Sequence, residues 1–150
     1  MDDSLFGEGL TLLGERLFQL TWSQNFGFIY DQKNLSRLGT FNHEMKEGWG
    51  LATDGKVLFG SDGSSTLYRM DPQTFKAVSK EVVYYKGHQV QLLNELEYVN
   101  GEIWANVYMV CLFTCSTKII GDNRSLSLKF CKVKTNVSHI CIYLWSKVLY

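Results

Sequence analysis

The sequence predicts an all-β fold: a partial β-propeller of about two and a half blades, followed by a C-terminal stretch of different character. Three observations predict it. The first is a pattern that occurs three times: Glu8-Gly9-Leu10 with Leu17-Phe18 and Trp22, Trp49-Gly50-Leu51 with Leu58-Phe59 and Gly63, and Asn94-Glu95-Leu96 with Ile103-Trp104 and Tyr108. Each copy steps two residues to the leucine, seven to the next apolar position and five to the last, and the leucines lie 41 and 45 residues apart. A period of that length built from short strands marks propeller blades. The second is that runs of strand length alternate with turn residues. The third is that no run before about residue 110 keeps apolar residues at three- and four-residue steps for the dozen residues a helix needs.

In the first copy, Thr11 to Leu13, Arg16 to Trp22 and Phe28 to Asp31 read as strands, separated by the turns Gly14-Glu15 and Asn25-Phe26-Gly27. The second copy repeats the plan. Asp54-Gly55 is a hairpin signal before Lys56 to Phe59. Asp62 to Ser65 is the next turn, Thr66 to Met70 alternates, and Asp71-Pro72-Gln73-Thr74 closes with proline at the favoured second turn position. Ala77 to Tyr85 is β-branched and aromatic and predicts a fourth, outer strand. In the third copy Asn100-Gly101 is the strongest short hairpin signal, ahead of Glu102 to Tyr108.

The repeat also shows which positions do not repeat. Glu8, Trp49 and Asn94 share one structural column but are chemically unlike. A fold needs similar residues at equivalent places; a binding site needs different ones.

Composition bounds the function. The chain has 150 residues, one domain by length, and is 45% hydrophobic with 15 acidic and 15 basic residues. A formal net charge of zero gives no electrostatic reason to expect nucleic acid or an anionic membrane as partner. No apolar run approaches the eighteen residues of a transmembrane helix, and Met1-Asp2-Asp3 lacks the basic start of a signal peptide. The four cysteines, Cys111, Cys115, Cys131 and Cys141, all lie in the last forty residues, whereas a disulfide framework staples a whole small fold. Their C-x3-C-x15-C-x9-C spacing matches no common zinc pattern, and His43, His88 and His139 are scattered, so neither metal nor cofactor is expected. After Tyr108 the period is lost, although Leu126 to Phe130 alternates. The expected division is therefore 1–108, partial propeller, and 109–150, divergent tail, the product of a translated intron or a rearranged gene end.

The residues that carry the repeat also carry a family. Leu5-Phe6-Gly7-Glu8-Gly9-Leu10-Thr11, Gly27-Phe28-Ile29-Tyr30-Asp31, Gly48-Trp49-Gly50-Leu51-Ala52-Thr53-Asp54-Gly55, Leu58-Phe59-Gly60-Ser61-Asp62-Gly63 and Leu93-Asn94-Glu95-Leu96-Glu97-Tyr98 resemble the plant-type glutaminyl-peptide cyclotransferases, in order and with matching gaps over about residues 5 to 107. The resemblance implies a five-bladed propeller that closes the N-terminal glutamine of a peptide to pyroglutamate and releases ammonia, with no catalytic zinc, in the secretory pathway. It implies Glu8 as the catalytic glutamate and Trp22, Trp49 and Asn94 as pocket residues. Tyr108 stands where the family has another pocket tryptophan. A family glutamine on an earlier blade and a lysine on a later one have no counterpart. The implied partners are peptides or proteins with an N-terminal glutamine.

The chemistry suits those residue types. A carboxylate can take a proton from the amine and pass it to the leaving ammonia, indole or amide N–H groups can hold the developing oxyanion, and folding the glutamine back on itself supplies proximity. Trp104, matched to Phe18 and Phe59, reads as core; Glu95 and Glu97 read as solvent-facing or turn-capping; Asn34-Leu35-Ser36 is a glycosylation sequon that matters in a secreted chain. Open blade faces predict weak or no turnover in this truncated chain. The alternatives are a non-catalytic fragment acting as a binding module and an unstable product of an altered gene.

Overall fold

The computed structural model describes residues 3–108 and the backbone of residues 113–118 and 129–131. The described strands make three four-stranded antiparallel sheets. The first is β1 (Gly7–Leu13), β2 (Arg16–Thr21), β3 (Phe26–Asp31) and β4 (Arg37–Asn42), side by side in chain order. The second is β5 (Leu51–Thr53), β6 (Leu58–Ser61), β7 (Thr66–Met70) and β8 (Ala77–Val82). A two-stranded hairpin, β9 (Tyr84–Tyr85) with β10 (His88–Gln89), leads into the third sheet, which begins with β11 (Leu93–Val99) and β12 (Glu102–Val107). Up to residue 108 the chain thus supplies two blades and half of a third; β13 (Phe113–Lys118) and β14 (Lys129–Cys131) add two strands by backbone pairing. The remaining sequence-based readings of the tail, its cysteine side chains included, lie outside the described residues.

The three copies of the sequence pattern pair in one register. Leu10 lies opposite Gln19, Leu51 opposite Gly60 and Leu96 opposite Ala105; the next pairs are Thr11 with Phe18, Ala52 with Phe59 and Glu97 with Trp104. A strand's side chains alternate faces, so a shared register sends the repeated apolar residues to equivalent faces; Leu51 and Leu96 are buried between sheets, while Leu10, on the first sheet, is 51% exposed. Phe18, Leu20, Phe41, Met45, Leu51, Leu58, Tyr68 and Met70 form the core between the first two sheets. Ala52, Phe59, Leu67, Val83, Leu93, Leu96 and Ile103 form the core between the second and third.

The innermost strands of neighbouring sheets meet backbone to backbone. The Gly9 N–H donates to the Trp49 carbonyl at 2.6 Å. A Cβ on Gly9 would collide with the backbone of Trp49, Gly50 and Leu51, and one on Gly50 would collide with Asn94 O, Glu95 Cα and Leu96 N. Ser61, fully buried, ties this seam together. It exchanges backbone hydrogen bonds with Trp49 and Gly50, its Oγ accepts from Gly50 N at 2.9 Å, and its Oγ–H donates to Asn94 O at 2.6 Å.

Turn chemistry accounts for the hairpins. Asn100 and Gly101 both have positive φ (51° and 86°), as a two-residue type I′ turn requires. Lys86-Gly87 makes the same turn (48° and 82°) without having been legible as one. Asp54-Gly55 lies in a wider loop, in which Asp54 Oδ1 accepts from Lys56 N and Val57 N while the Thr53 hydroxyl donates to Val57 O. The outer hairpins of the first two sheets are built alike. Asp31 Oδ1 accepts from Lys33 N and Asn34 N, Asp71 Oδ1 from Gln73 N and Thr74 N, and Leu35 and Phe75 follow at φ 59° and 58°.

Two differences from the sequence reading have physical reasons. Strand β4 was not foreseen, because Arg37-Leu38-Gly39-Thr40-Phe41-Asn42 has weak alternation and a mid-strand glycine. The expected strand Ala77 to Tyr85 breaks at Val83, whose side chain is buried and whose N–H donates to Ser65 O, so Tyr84 and Tyr85 turn into the small hairpin. His43 is buried, and burial holds its pKa down at about 4.

Two outcomes follow. His43 binds its proton only near pH 4 in the native state but near its ordinary 6.5 when unfolded. The unfolded chain therefore holds more protons between those values, and stability, complete above about 6.5, is lost as pH falls towards 4. Chemical denaturation across that range is expected to show the slope in the wild type and a flatter one in His43→Gln. Gly50→Ala forces the inner strands apart and is expected to cost about 1–3 kcal/mol or more of unfolding free energy in the same measurement.

Candidate functional site

Glu8, Trp49 and Asn94 come together because the inner strands are irregular where they begin. Between Gly7 and Leu10, strand β1 advances three residues while β2 advances two, from Thr21 to Gln19. Between Leu93 and Leu96, β11 does the same against β12. Each is a bulge, which re-aims the extra residue's side chain. Trp49 reaches the equivalent place on the segment just before β5, its N–H bonded to Ser61 O at 3.1 Å. The second column, five residues beyond the middle apolar position, lies at the same end of each sheet, where β2, β6 and β12 finish.

These positions enclose one cavity of about 320 Å³, lined by Phe6, Glu8, Trp22, Trp49, Asn94 and Tyr108. All five residues singled out in the sequence line it. Phe6 was missed, although it stands two residues before Glu8 as Leu92 stands two before Asn94. The carbonyls of Phe6 and Leu92 do equivalent work, accepting from Trp22 N and Tyr108 N, each at 2.9 Å. The mouth is open: Phe6 is 63% exposed, Trp22 50% and Tyr108 49%.

Gly63 occupies the second column where the other copies carry Trp22 and Tyr108. Its φ is +75°, and a Cβ there would sit 2.6 Å from Cε2 and Cζ2 of Trp49. The Trp49 indole thus fills the space that a side chain at 63 would take. Its other neighbour is Tyr108, edge-on with ring centroids 5.6 Å apart. Trp49 Nε1 is shielded from solvent and has no hydrogen-bond partner. A buried unpaired N–H is costly.

The acids are shifted upwards. Burial raises the pKa of Glu8 above the usual carboxylate value. Glu95 lies next to Asn94 in the third bulge and is pushed up to about 7, first by burial, then by the charges of Glu8 and Glu97. Burial also raises Glu97. The expectation that Glu95 and Glu97 face solvent or cap a turn is therefore corrected: the alternation along β11 turns both partly inward. Trp104 is half-buried with its indole N–H shielded and unpartnered, unlike Phe18 and Phe59, which are core residues. Among the described residues no three His, Cys, Asp or Glu side chains are grouped to hold a metal ion, and no helix is long and apolar enough to cross a membrane.

A family model described as glutamine cyclotransferase matches residues 1–116. This chain belongs to that family. A glutaminyl-peptide cyclotransferase of Arabidopsis thaliana is 63% identical over 119 residues, covering 79% of this chain and 37% of the relative. The crystal structure of Myxococcus xanthus glutaminyl cyclase matches with a TM-score of 0.71 and 36% identity over 76% of this chain and 49% of that one. The β-propeller domain of Swd1 from Myceliophteria thermophila matches in fold alone, with a TM-score of 0.54 at 9% identity over 87% of this chain and 41% of that one. The chain is all-β and a partial propeller, and it spans little more than a third of the curated relative it matches.

The packing of Trp49 over residue 63 can be tested directly. In Gly63→Ala the added methyl displaces the indole, and a changed tryptophan emission maximum with greater acrylamide quenching is the expected result; an unchanged spectrum would mean that the ring does not depend on that glycine.

Proposed function

We propose that the cavity receives the N-terminal glutamine of a peptide and that Glu8, Trp49 and Asn94 carry its cyclisation to pyroglutamate. The observation behind this reading is the convergence of three equivalent but unlike side chains on one cavity, in a chain of the glutamine cyclotransferase family. Glu8 acts as the base. Its burial-raised pKa brings its proton affinity closer to that of an α-amine, whose ordinary value is about 7.7–8.0. The carboxylate accepts a proton from the α-ammonium, and the freed nitrogen attacks the γ-carbonyl carbon. The ring C–N bond forms; Glu8 passes its proton to the side-chain nitrogen as the bond to it breaks and ammonia leaves, and the restored carboxylate takes the second proton from the ring nitrogen and releases it to solvent. Trp49 Nε1 donates to the oxygen that becomes negative in between, and its buried setting strengthens that bond. The Asn94 amide holds the side-chain amide of the substrate. Trp22, Tyr108 and Phe6 wall the mouth.

We also propose the division at residue 108, on the loss there of the 41- to 45-residue spacing.

The test is ammonia release from a Gln-initiated dipeptide by the full chain. Glu8→Gln is expected to lower the rate by about 10²–10⁴. Trp49→Phe, which keeps a ring and removes the N–H, is expected to lower kcat by about 10²–10³ with little change in KM. A soluble, folded chain that binds such a peptide without turnover would make it a binding module; turnover indifferent to Glu8→Gln would refute the assignment of the base.

A further inference from the structure

The two joints between inner strands are made differently. At the first, the Gly9 N–H donates straight to the carbonyl of Trp49, at 2.6 Å. At the second, the equivalent N–H is that of Gly50 and the equivalent carbonyl that of Asn94. Here a side chain stands between them. The Gly50 N–H donates to Ser61 Oγ at 2.9 Å, and Ser61 Oγ–H donates to Asn94 O at 2.6 Å. A serine hydroxyl accepts and donates at one atom, which is what such an insertion needs.

The repeat marks Ser61 as an exception. It lies ten residues after the leucine of its copy, and the same step leads to Leu20 in the first copy and Asn106 in the third. Leu20 and Ser61 are both fully buried, but Leu20 belongs to the apolar core. Ser61 instead carries a polar group out of water, which is tolerated because the hydroxyl is bonded on both sides. Its main chain serves the same joint: the Trp49 N–H donates to Ser61 O at 3.1 Å and the Ser61 N–H to Gly50 O at 3.0 Å. The last residue of β6 therefore grips the segment that carries Trp49 and, through its hydroxyl, the strand that carries Asn94. Ser61 itself does not line the cavity.

We propose that Ser61 is a positioning residue for the cyclisation reaction: its hydroxyl sets the place of Asn94 relative to Trp49. It thereby sets the group that holds the substrate amide against the group that meets the developing oxyanion. The inference rests on the roles proposed for those two side chains. Ser61 touches no reacting atom and changes no covalent bond. The bonds that flank the joint, from Leu92 N–H to Gly63 O and from Leu93 N–H to Ser64 O, keep the third sheet attached. Loss of the hydroxyl is therefore expected to shift Asn94 without detaching the sheet.

Two kinds of measurement on the full chain test it. The first needs no substrate. In Ser61→Ala the Gly50 amide is expected to exchange its hydrogen about tenfold faster, while the Gly9 amide, whose acceptor is a backbone carbonyl, keeps its rate. The side-chain amide resonances of Asn94 and the indole N–H resonance of Trp49 are expected to move. The second is turnover of a Gln-initiated dipeptide. Ser61→Ala is expected to lower kcat by about 10²-fold with KM little changed, the cost of a small misplacement of reacting groups. Leu58→Val, a buried change at the other end of β6, is expected to lower stability and keep kcat. Ser61→Cys keeps a weaker donor and acceptor at the same place and is expected to give an intermediate kcat. Equal Gly50 exchange in Ser61→Ala and the wild type would overturn the bridge. A loss of kcat no greater than that of Leu58→Val, or one seen in KM alone, would overturn the positioning role. A wild-type chain without turnover would sink the cyclase reading instead; unmoved Asn94 and Trp49 resonances would then refute the placing, and moved ones uphold it. Should Ser61→Ala fail to fold, Ser61→Cys takes its place in each comparison.

Discussion

The architecture depends on one constraint: inner strands of neighbouring sheets must approach to backbone contact. Gly9 against Trp49-Gly50-Leu51, and Gly50 against Asn94-Glu95-Leu96, are the two places where this happens. At such a distance any side chain is excluded, and exposed backbone groups must find partners at once. Gly9 N finds Trp49 O, and Ser61 bridges Gly50 N to Asn94 O. The apolar seams on either side are ordinary close-packed cores, but they cannot close until these polar contacts are made. The site inherits its geometry from the same constraint. Glu8, Trp49 and Asn94 each precede the residue held at the contact, so fixing the backbones fixes the bases of the three side chains.

The degree to which this was legible in the sequence varies with the length scale of each feature. The period was legible because Leu10, Leu51 and Leu96 answer the same register on three hairpins, and a register error of one residue would put each on the wrong face. The gathering of Glu8, Trp49 and Asn94 followed from it. The bulges were not legible, since Gly7-Glu8-Gly9 and Asn94-Glu95 have no turn signature and a bulge exists only relative to its partner strand. Phe6 lay outside the repeat as it was read, though the carbonyl pairing with Trp22 gives it a place in the pattern. Glu95 was misread for a related reason. Acidic residues usually face solvent, and what turns it inward is the approach of the second sheet, which no local pattern reports. The small hairpin at Lys86-Gly87 escaped because a run of β-branched and aromatic residues reads as one strand until tertiary burial of Val83 breaks it.

Electrostatics and packing divide the cavity between them. Its one lining acid, Glu8, lies on the inner strand of the first sheet, and Glu95 stands beside the lining residue Asn94 on that of the third; both lose water there. Its aromatic rings lie mainly at the strand ends that form the mouth, where half-exposure suits side chains with an apolar body and a polar tip.

Residue 63 shows how a repeat can be broken at one place so that the rest of it can work. Three equivalent blades would present three equivalent second-column side chains, and with Trp49 in the first column they would compete for one volume. Glycine at 63 resolves the conflict in favour of Trp49, and its positive φ lets the turn Asp62 to Ser65 pass beneath the ring. Asp62 then stabilises that turn without a side chain at 63. It accepts from Ser64 N and Ser64 Oγ, and the Tyr68 hydroxyl donates to its second oxygen at 2.8 Å. Burial and that bond push Tyr68 up to about 12, so the phenol keeps its proton and stays a donor. The Trp49 indole therefore packs against a turn that has its own hydrogen-bond network, and its place depends on Gly63 and on the turn that Asp62 holds.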